Sequence, residues 1–514
     1  MAPGEAALLA CVFVVAACGL VYELSAGALA SYLLGDSVLQ FSTVIGTYLF
    51  AMGLGSWASR HVREPVSATF VEVELIVGLV GGLMPAALFA SHAWLPAGSV
   101  GAFRTLMYLF VTLVGMGVGL EIPLVLRLVE RPLRGREAIA TLVSQVLTFD
   151  YLGALVVSIA FPLLLVPHLG LVRSGVFFGL LNALVALWSL LLFRRGLGRA
   201  FGALAVQCGL VIAVLAAAYA GGERLTSWAE DSFYGTGVVL REDTPYQRIV
   251  ITSQDGVARL FLNGNLQFNS KDEYRYHEAL VHPAMAGFGA PRRVLVLGGG
   301  DGMALREVLR YPSVEQVTQV ELDPEMTRLF SKDPMLVALN RGALLSSKLR
   351  LVNADAYIWL EQHQGEDEQY DVVIIDFPDP SNYALGKLYS TSFYALVDQH
   401  LAASGYAVVQ TTSPLIARRS FWTVVTTLEA VGFGTVPYHV HVPSFGEWGF
   451  VIASRRPWVR PRALPPGLKF LTLHGIDAML DFPLDMARVP AEPNRLSNQT
   501  LVRTFEEEWG RVHE

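Results

Sequence analysis

The sequence is poor in charge and in cysteine. Of its 514 residues, 38 are Lys or Arg and 45 are Asp or Glu, so only 16% are charged. Soluble globular proteins carry roughly 25%, which excludes an ordinary soluble fold along the whole chain. The three cysteines, Cys11, Cys18 and Cys208, all lie in apolar runs. They have neither metal-ligand spacing nor the pattern of a disulfide framework, and they do not fix a redox compartment. No Lys/Arg-rich stripe is present and the net charge is −7. Nothing in such a chain would neutralise phosphates, which argues against a nucleic acid partner. A mildly acidic protein suits cationic substrates, although net charge alone says little. No cluster of metal ligands is visible in the sequence.

What the chain has instead is hydrophobic sequence, 53% of it, unevenly distributed. Between Met1 and Gly222 acids are few and apolar runs repeat; from Glu223 onward the charge density is that of a soluble protein. A spanning helix needs about 20 mostly apolar residues. Seven stretches qualify: 6–32, 38–58, 70–91, 104–126, 138–164, 172–193 and 200–220. The first lacks a basic leader and a clear cleavage site, and another span follows at once, so it reads as retained rather than as a signal peptide. Small residues crowd the spans, as in Gly115-Met116-Gly117-Val118-Gly119, and let helices approach closely. Glu23, Glu72, Glu74, Glu121 and Asp150 fall inside or at the edges of the spans. They read either as a path for a cation or as acids near span ends or bonded between helices. Basic residues follow spans two, four and six (Arg60 and Arg63; Arg127, Arg131, Arg134 and Arg136; Arg194, Arg195 and Arg199), which puts the N-terminus inside. Seven spans would then leave the soluble half outside, in conflict with cytoplasmic chemistry. The expectation is a multi-pass cell-membrane protein in contact with the lipid bilayer, with the side of its soluble half open.

Residues 223–245 read as a linker, and strands then alternate with helices. Tyr246–Ser253 and Val257–Leu262 form a small β segment joined by Gln254-Asp255-Gly256, a turn signal, and a helix follows within 246–290. From 291 to 455 the apolar runs Arg293–Leu297, Val317–Leu322, Leu349–Val352, Tyr370–Ile375 and Tyr406–Thr411 alternate with helical patterns, and two late strands lie near Thr435–His441 and Trp448–Ala453. That alternation implies a mostly parallel sheet covered on both faces. The fold class expected is an N-terminal multi-spanning α-helical membrane bundle plus a C-terminal α/β methyltransferase-like (Rossmann-like) domain with a small N-terminal β segment. The tail, 456–514, is rich in Pro and Arg and reads as irregular chain laid over the domain.

Val294-Leu295-Val296-Leu297 runs into Gly298-Gly299-Gly300-Asp301-Gly302, with a helix after it. Glycines there allow a tight turn and close approach of backbone to a nucleotide. Glu321 ends the next strand, about 20 residues on, where an acid typically holds ribose hydroxyls. Asp355 follows the third strand and could accept from an adenine amine. The alternative is that Glu321 and Asp355 only cap helices. The fourth strand ends in Asp376-Phe377-Pro378-Asp379. Two carboxylates at that lip suit a cation, or one serves as general base while the other holds charge; a plain Asp/Pro turn is the alternative. Asp301, inside the glycine loop, would repel the carboxylate of S-adenosylmethionine, so the loop suits a sulfonium ligand that carries an ammonium group and no carboxylate.

These motifs, with Leu262-Asn263-Gly264-Asn265-Leu266-Gln267 and Asp272-Glu273-Tyr274-Arg275-Tyr276-His277-Glu278, resemble those of the spermidine synthase (polyamine aminopropyltransferase) family, in family order over about residues 240–455. The hydrophobic half resembles that family's membrane-anchored bacterial branch. The resemblance implies that Gln247, Gly298, Gly300, Asp301, Glu321, Asp355 and Ala356 bind the donor, decarboxylated S-adenosylmethionine, used as co-substrate with no cofactor and no metal. It implies that Tyr276, His277, Asp301, Asp376 and Asp379 bind the amine, and that Asp376 accepts its proton. Without the resemblance, Tyr276 and His277 read as a helix face packed on the sheet. Two departures stand out: Phe377, where the family commonly has Ser, and Phe445, where it has Tyr. Both remove a hydroxyl near the amine and bear on which amine is accepted. The implied activity is transfer of an aminopropyl group to an amine such as putrescine, giving spermidine and methylthioadenosine. The readings set against it are a membrane polyamine transporter or sensor with a non-catalytic binding domain, and an S-adenosylmethionine-dependent methyltransferase. The sequence is compatible with a homo-oligomer but does not specify one.

Overall fold

The computed structural model describes residues 3–34, 37–94, 100–130, 136–234, 237–364 and 369–510, in two compact units, Met1–Val238 and Val239–Glu514.

In the first unit each candidate span coincides with a long helix: Pro3–Leu34, Ser37–Ala58, Val66–Trp94, Val100–Glu130, Arg136–Ala160, Val166–Leu192 and Ala200–Tyr234. Five segments among the described residues are long and apolar enough to cross a membrane: Leu9–Ser31, Val66–Ser91, Gly101–Leu128, Ala140–Leu192 and Ala200–Gly222. The fourth holds two of the candidate spans, parted by a π-helical stretch at Phe161–Leu165 and by Gly170, whose φ of 71° leaves the helical region. Small residues set the helix crossings. A Cβ added to Gly119 would sit 2.1 Å from the Met52 carbonyl oxygen, and one on Gly153 2.3 Å from that of Phe13. Glu74 is wholly buried and accepts a 2.9 Å hydrogen bond from the amide of Asn182, also wholly buried, on a different helix. This is the bonded-between-helices arrangement, whereas Glu72 is exposed. Arg131 and Arg134 lie outside the described residues.

Residues 223–245 are mostly regular structure rather than linker. The helix begun at Ala200 runs to Tyr234, and a strand begins at Val238. Gly221-Gly222 weaken that helix without ending it, because helix-favouring Glu223, Arg224 and Leu225 follow.

The second unit opens with a four-stranded sheet, β1 (Val238–Asp243), β2 (Arg248–Gln254), β3 (Val257–Leu262) and β4 (Asn265–Asn269), in which β2 pairs with β3 and β3 with β4 antiparallel. The β2–β3 turn has Asp255 and Gly256 at φ 52° and 75°, and the β3–β4 turn has Asn263 and Gly264 at 49° and 85°. Two successive positive φ angles give the hairpin twist that Asp-Gly and Asn-Gly supply.

Helix Glu273–Phe288 leads to the main sheet: β5 (Arg293–Gly298), β6 (Gln316–Glu321), β7 (Leu349–Asn353), β8 (Tyr370–Asp376), β9 (Leu401–Gln410), β10 (Gly434–Val442) and β11 (Gly446–Ser454). The order is β10-β11-β9-β8-β5-β6-β7, with β5 to β9 mutually parallel and the β10–β11 hairpin antiparallel at one edge. Alternate residues face opposite layers. Val294, Val296 and Ile374 pack with Leu280 and Met285; Leu295, Leu297 and Ile375 pack with Trp359, Phe393 and Phe421. Each such burial contributes about 1.5–3 kcal/mol, so the sheet is held from both sides. Its order reverses at β5, and the crevice between the ends of β5, β6 and β8 is where α/β sheets bind ligands. The tail is ordered over the domain: the buried Glu278 carboxylate accepts the amides of Lys469, Phe470 and Leu471 at 2.7–2.9 Å.

Candidate active site

The glycine loop leaves β5 with Gly298, Gly299 and Gly302 at φ 83°, 63° and 73°. Side chains have no room there. A Cβ on Gly298 would lie 2.2 Å from the Asp376 carbonyl oxygen, and one on Gly300 2.8 Å from the Glu321 carboxylate. The loop is held from below by Gln319, whose Nε2 donates to the carbonyls of Gly298 (3.0 Å) and Gly299 (2.6 Å). Asp301 accepts from the Met303 amide at 2.9 Å across Gly302, the residue that leads into helix Met303–Val308.

On the β6 side, Glu321 accepts the Asp323 amide at 2.9 Å. Asp323 Oδ2 accepts from Gln247 Nε2 and from Thr244 Oγ1, each at 2.9 Å. The turn between β1 and β2 is thereby tied to the end of β6, and Gln247 is brought beside Glu321. Past β7, Asp355 does cap helix Ala356–Gln362, taking the Tyr357 amide on Oδ1 at 2.8 Å. Its Oδ2 lies 2.7 Å from Lys387 Nζ. Ala356 is buried behind it.

The opposite end is acidic. Tyr276 Oη donates to Asp376 Oδ1 at 2.6 Å, so the helix after β4 and the end of β8 meet. His277 is buried, its Nδ1 2.8 Å from Glu273 Oε2. Arg306 braces Glu273 through both carboxylate oxygens, at 3.1 and 2.8 Å. Asp379 Oδ1 is buried with no hydrogen-bond partner among the described residues. Phe445 stands in an aromatic wall, its centroid 6.4 Å from Tyr276 and 5.4 Å from Trp448. Phe377 is buried and packs edge-on to Phe393.

The electrostatics follow from burial. Asp376 is pushed up to about 6, by burial and the nearby charge of Asp301, against the pull of His277 and the Tyr276 hydroxyl. Burial pushes Asp379 up to about 7, partly opposed by Gln410 and Thr412. Glu321 rises to about 7, chiefly by burial and despite the Asp323 amide. Burial also raises Asp301, with His277 and the Met303 amide pulling the other way. His277 is the counterpoise. Burial would neutralise its ring, but the Glu273 hydrogen bond and charge outweigh that, with Asp301 and Asp376 adding to them, and hold it above its ordinary value. Perturbed carboxyls gathered in one cleft mark a functional site, and these four would be stabilised as anions by an arriving cation.

The structure thus gathers these residues at the strand ends in two groups, Gln247, Glu321 and Asp355 toward β6 and β7, and Tyr276, His277, Asp376 and Asp379 toward β8, with Gly298, Gly300 and Asp301 in the loop after β5. The sequence reading missed Gln319 and Gln410, whose signal is a polar residue inside an apolar strand. It gave no role to Asp323, Tyr389 or the Glu273–Arg306 pair; of these, Asp323, directly before Pro324 at a helix start, and Glu273, four residues before His277 on one helix, have a sequence signal.

Fold and site together define a class: a Rossmann-like transferase domain with a glycine loop at its switch point and a carboxyl-lined cleft. Comparison with known proteins narrows the class. Residues 273–460 match the Spermine/spermidine synthase domain. The chain is 53% identical to polyamine aminopropyltransferase 2 of Ralstonia nicotianae, over 98% of each chain. It is 46% identical to the polyamine aminopropyltransferase of Leptospira interrogans, over 99% of each, and 38% identical to that of Mycobacterium tuberculosis, over 98% and 97%. A crystal structure of spermidine synthase in complex with the transition state analogue AdoDATO superposes with a TM-score of 0.44 at 26% identity, covering 48% of this chain and 86% of that one. The chain belongs to the polyamine aminopropyltransferase family.

Proposed function

We propose that this protein moves the aminopropyl group of decarboxylated S-adenosylmethionine onto an amine such as putrescine, releasing spermidine and methylthioadenosine. The observation that carries the reading is geometric: the glycine loop that holds Asp301 packs against Asp376 at the end of β8 and Glu321 at the end of β6, and the Tyr276 hydroxyl donates to Asp376 at 2.6 Å, with Asp379 three residues on. Such a cleft favours an ammonium-bearing sulfonium and a polyamine over the methionine carboxylate that a methyltransferase must hold.

Gly298 and Gly300 let the donor approach the backbone. Glu321 accepts from its ribose, Asp355 and Ala356 border its adenine end, and Gln247 contacts the thioadenosine portion. Asp301 takes an ammonium of donor or amine. Tyr276 and His277 line the amine channel, and Asp379 takes the amine's far ammonium. The attacking amine arrives protonated, since an alkylammonium loses its proton near pH 10.4 as lysine does. Asp376, oriented by the Tyr276 hydroxyl, accepts that proton. The nitrogen lone pair then attacks the propyl carbon bonded to sulfur; the C–N bond forms, the C–S bond breaks, and its electron pair stays on sulfur. The sulfonium is already a good leaving group, so the protein's part is orientation, worth roughly 7–11 kcal/mol in favourable cases.

Incubation with labelled decarboxylated S-adenosylmethionine and putrescine should yield labelled spermidine by mass spectrometry, and S-adenosylmethionine should yield no methylated product. The reverse pattern would overturn the reading. Because Asp376 and Asp379, held near 6 and 7, must be ionised, kcat/KM for the amine should climb between about pH 5 and 8 and level off above. A profile rising tenfold per unit as far as pH 9 would instead mean that free neutral amine reacts without an acidic base.

The five long apolar segments support a multi-pass membrane anchor for the first unit. Protease accessibility in sealed vesicles tests on which side the transferase unit lies.

A further inference from the structure

The domain match ends at residue 460, yet the chain continues as ordered structure to Gly510. One residue of that extension, Asn494, is wholly buried and uses every hydrogen-bonding group it has. Its Nδ2 donates to the carbonyls of Gly386 (2.9 Å) and Tyr389 (3.1 Å). Its own carbonyl accepts the Thr391 amide at 2.9 Å. Its amide donates to Thr427 Oγ1 at 2.8 Å and its Oδ1 accepts the Leu501 amide at 3.3 Å. The segment it grips sits against the tail with no space between: a Cβ on Gly386 would lie 2.4 Å from Val502 Cγ2 and 2.9 Å from Gln499 Oε1.

The gripped segment borders both ends of the cleft. Tyr389 Oη donates to the carbonyls of Phe377 (3.3 Å) and Pro378 (3.0 Å), the peptide links between Asp376 and Asp379, and Gln410 Nε2 donates to Tyr389 Oη at 3.2 Å. Two residues earlier, Lys387 reaches Asp355 at the other end. A rigid attachment behind the segment therefore fixes the spacing of Asp376 and Asp379 and the position of Lys387 against Asp355 in the same motion.

We infer that the C-terminal extension is a positioning element of the active site, with Asn494 the residue through which it holds the 386–391 segment in place for donor and amine alike. Asn494 touches no reacting atom; it acts through Tyr389 and Lys387. The inference rests on the assignment of the cleft ends to donor and amine. Its physical content is pre-organisation: a segment already ordered costs less entropy when ligands bind.

Asn494→Asp keeps the size, Oδ1 and both backbone bonds, and replaces the two Nδ2 donations by a carboxylate oxygen facing two carbonyl oxygens. It should raise KM for donor and amine together, each by about tenfold or more, the loss of two buried hydrogen bonds with the acceptor–acceptor repulsion added. Gly386→Ala, which forces the same contact apart from the other side, should give the same paired rise. Lowered thermal stability with both KM values unchanged would reduce Asn494 to a structural role and overturn the inference. Should neither variant fold, hydrogen exchange on the unmodified protein decides. Protection of the Thr391 amide equal to that of β8 without ligand supports the inference, and loop-like exchange refutes it. If Asp376→Asn stays active while Asn494→Asp still shifts both KM values, the assignment of Asp376 fails and the positioning role does not.

Discussion

Asp376→Asn should lower kcat by about 10²–10⁴-fold, the range a positioned general base supplies, while methylthioadenosine binds within about threefold of its normal affinity. The two halves of this expectation have separate structural grounds. The substitution keeps an oxygen able to accept the 2.6 Å hydrogen bond from Tyr276, so the helix carrying Tyr276 and His277 keeps its place. It also leaves untouched Glu321, Asp323 and Gln247, which lie on the β6 side of the glycine loop. What disappears is the capacity to take a proton. Asp376 is suited to that task because burial and Asp301 raise it to about 6, making it a better proton acceptor than an ordinary carboxylate and yet ionised at neutral pH. Single-turnover kinetics with titration calorimetry of methylthioadenosine measures both halves. Turnover within threefold of normal would remove Asp376 from the proton-accepting role.

Arg306→Met should cost about 3–5 kcal/mol, the penalty for leaving buried charges without their partner, and lower the melting temperature by about 10 °C. Arg306 is nearly buried and meets Glu273 through Nη1 and Nη2 and Glu307 through Nε at 2.8 Å. Burial alone would raise both glutamates. For Glu273 the hydrogen bonds and charges of His277 and Arg306 outweigh it, and for Glu307 those of His282, Arg306 and Arg310 do so; both end near 2. The sign of the pH dependence follows. A carboxyl lowered on folding adds stability that is complete above its unfolded value and lost as pH falls through the folded one. The unmodified protein should therefore lose this contribution between about pH 4.5 and 2, and the variant should show little of that loss because it no longer has it. Thermal unfolding of the full-length protein at pH 7 and at pH 3, followed by tryptophan fluorescence, tests both points. A variant as stable as the parent at pH 7 would show that His277, His282 and Arg310 suffice.

Much of this was legible in the sequence, and for identifiable reasons. A parallel strand buried on both faces is written as a continuous apolar run, so β5 and β8 announced themselves. Gly298 to Gly302 could be read because a loop without room for side chains admits few residue types. β1 and β4 escaped: each is a short strand with no core residue of its own except Phe268, and β1 lay in what resembled a linker. The attachment of the tail escaped because it uses isolated residues, Glu278 and Asn494, with no periodic pattern.

The sequence by itself determined the division into an apolar and a charged half, the alternating α/β order, and the chemical types needed for the cleft, because these depend on local composition and period. Only the tertiary structure decided that Tyr276 meets Asp376 across 100 positions, that Arg306 underlies Glu273, and that Asn494 holds Tyr389. Pairings of that kind are set by how the layers pack, and no periodicity along the chain encodes which distant side chains packing will bring within hydrogen-bonding distance.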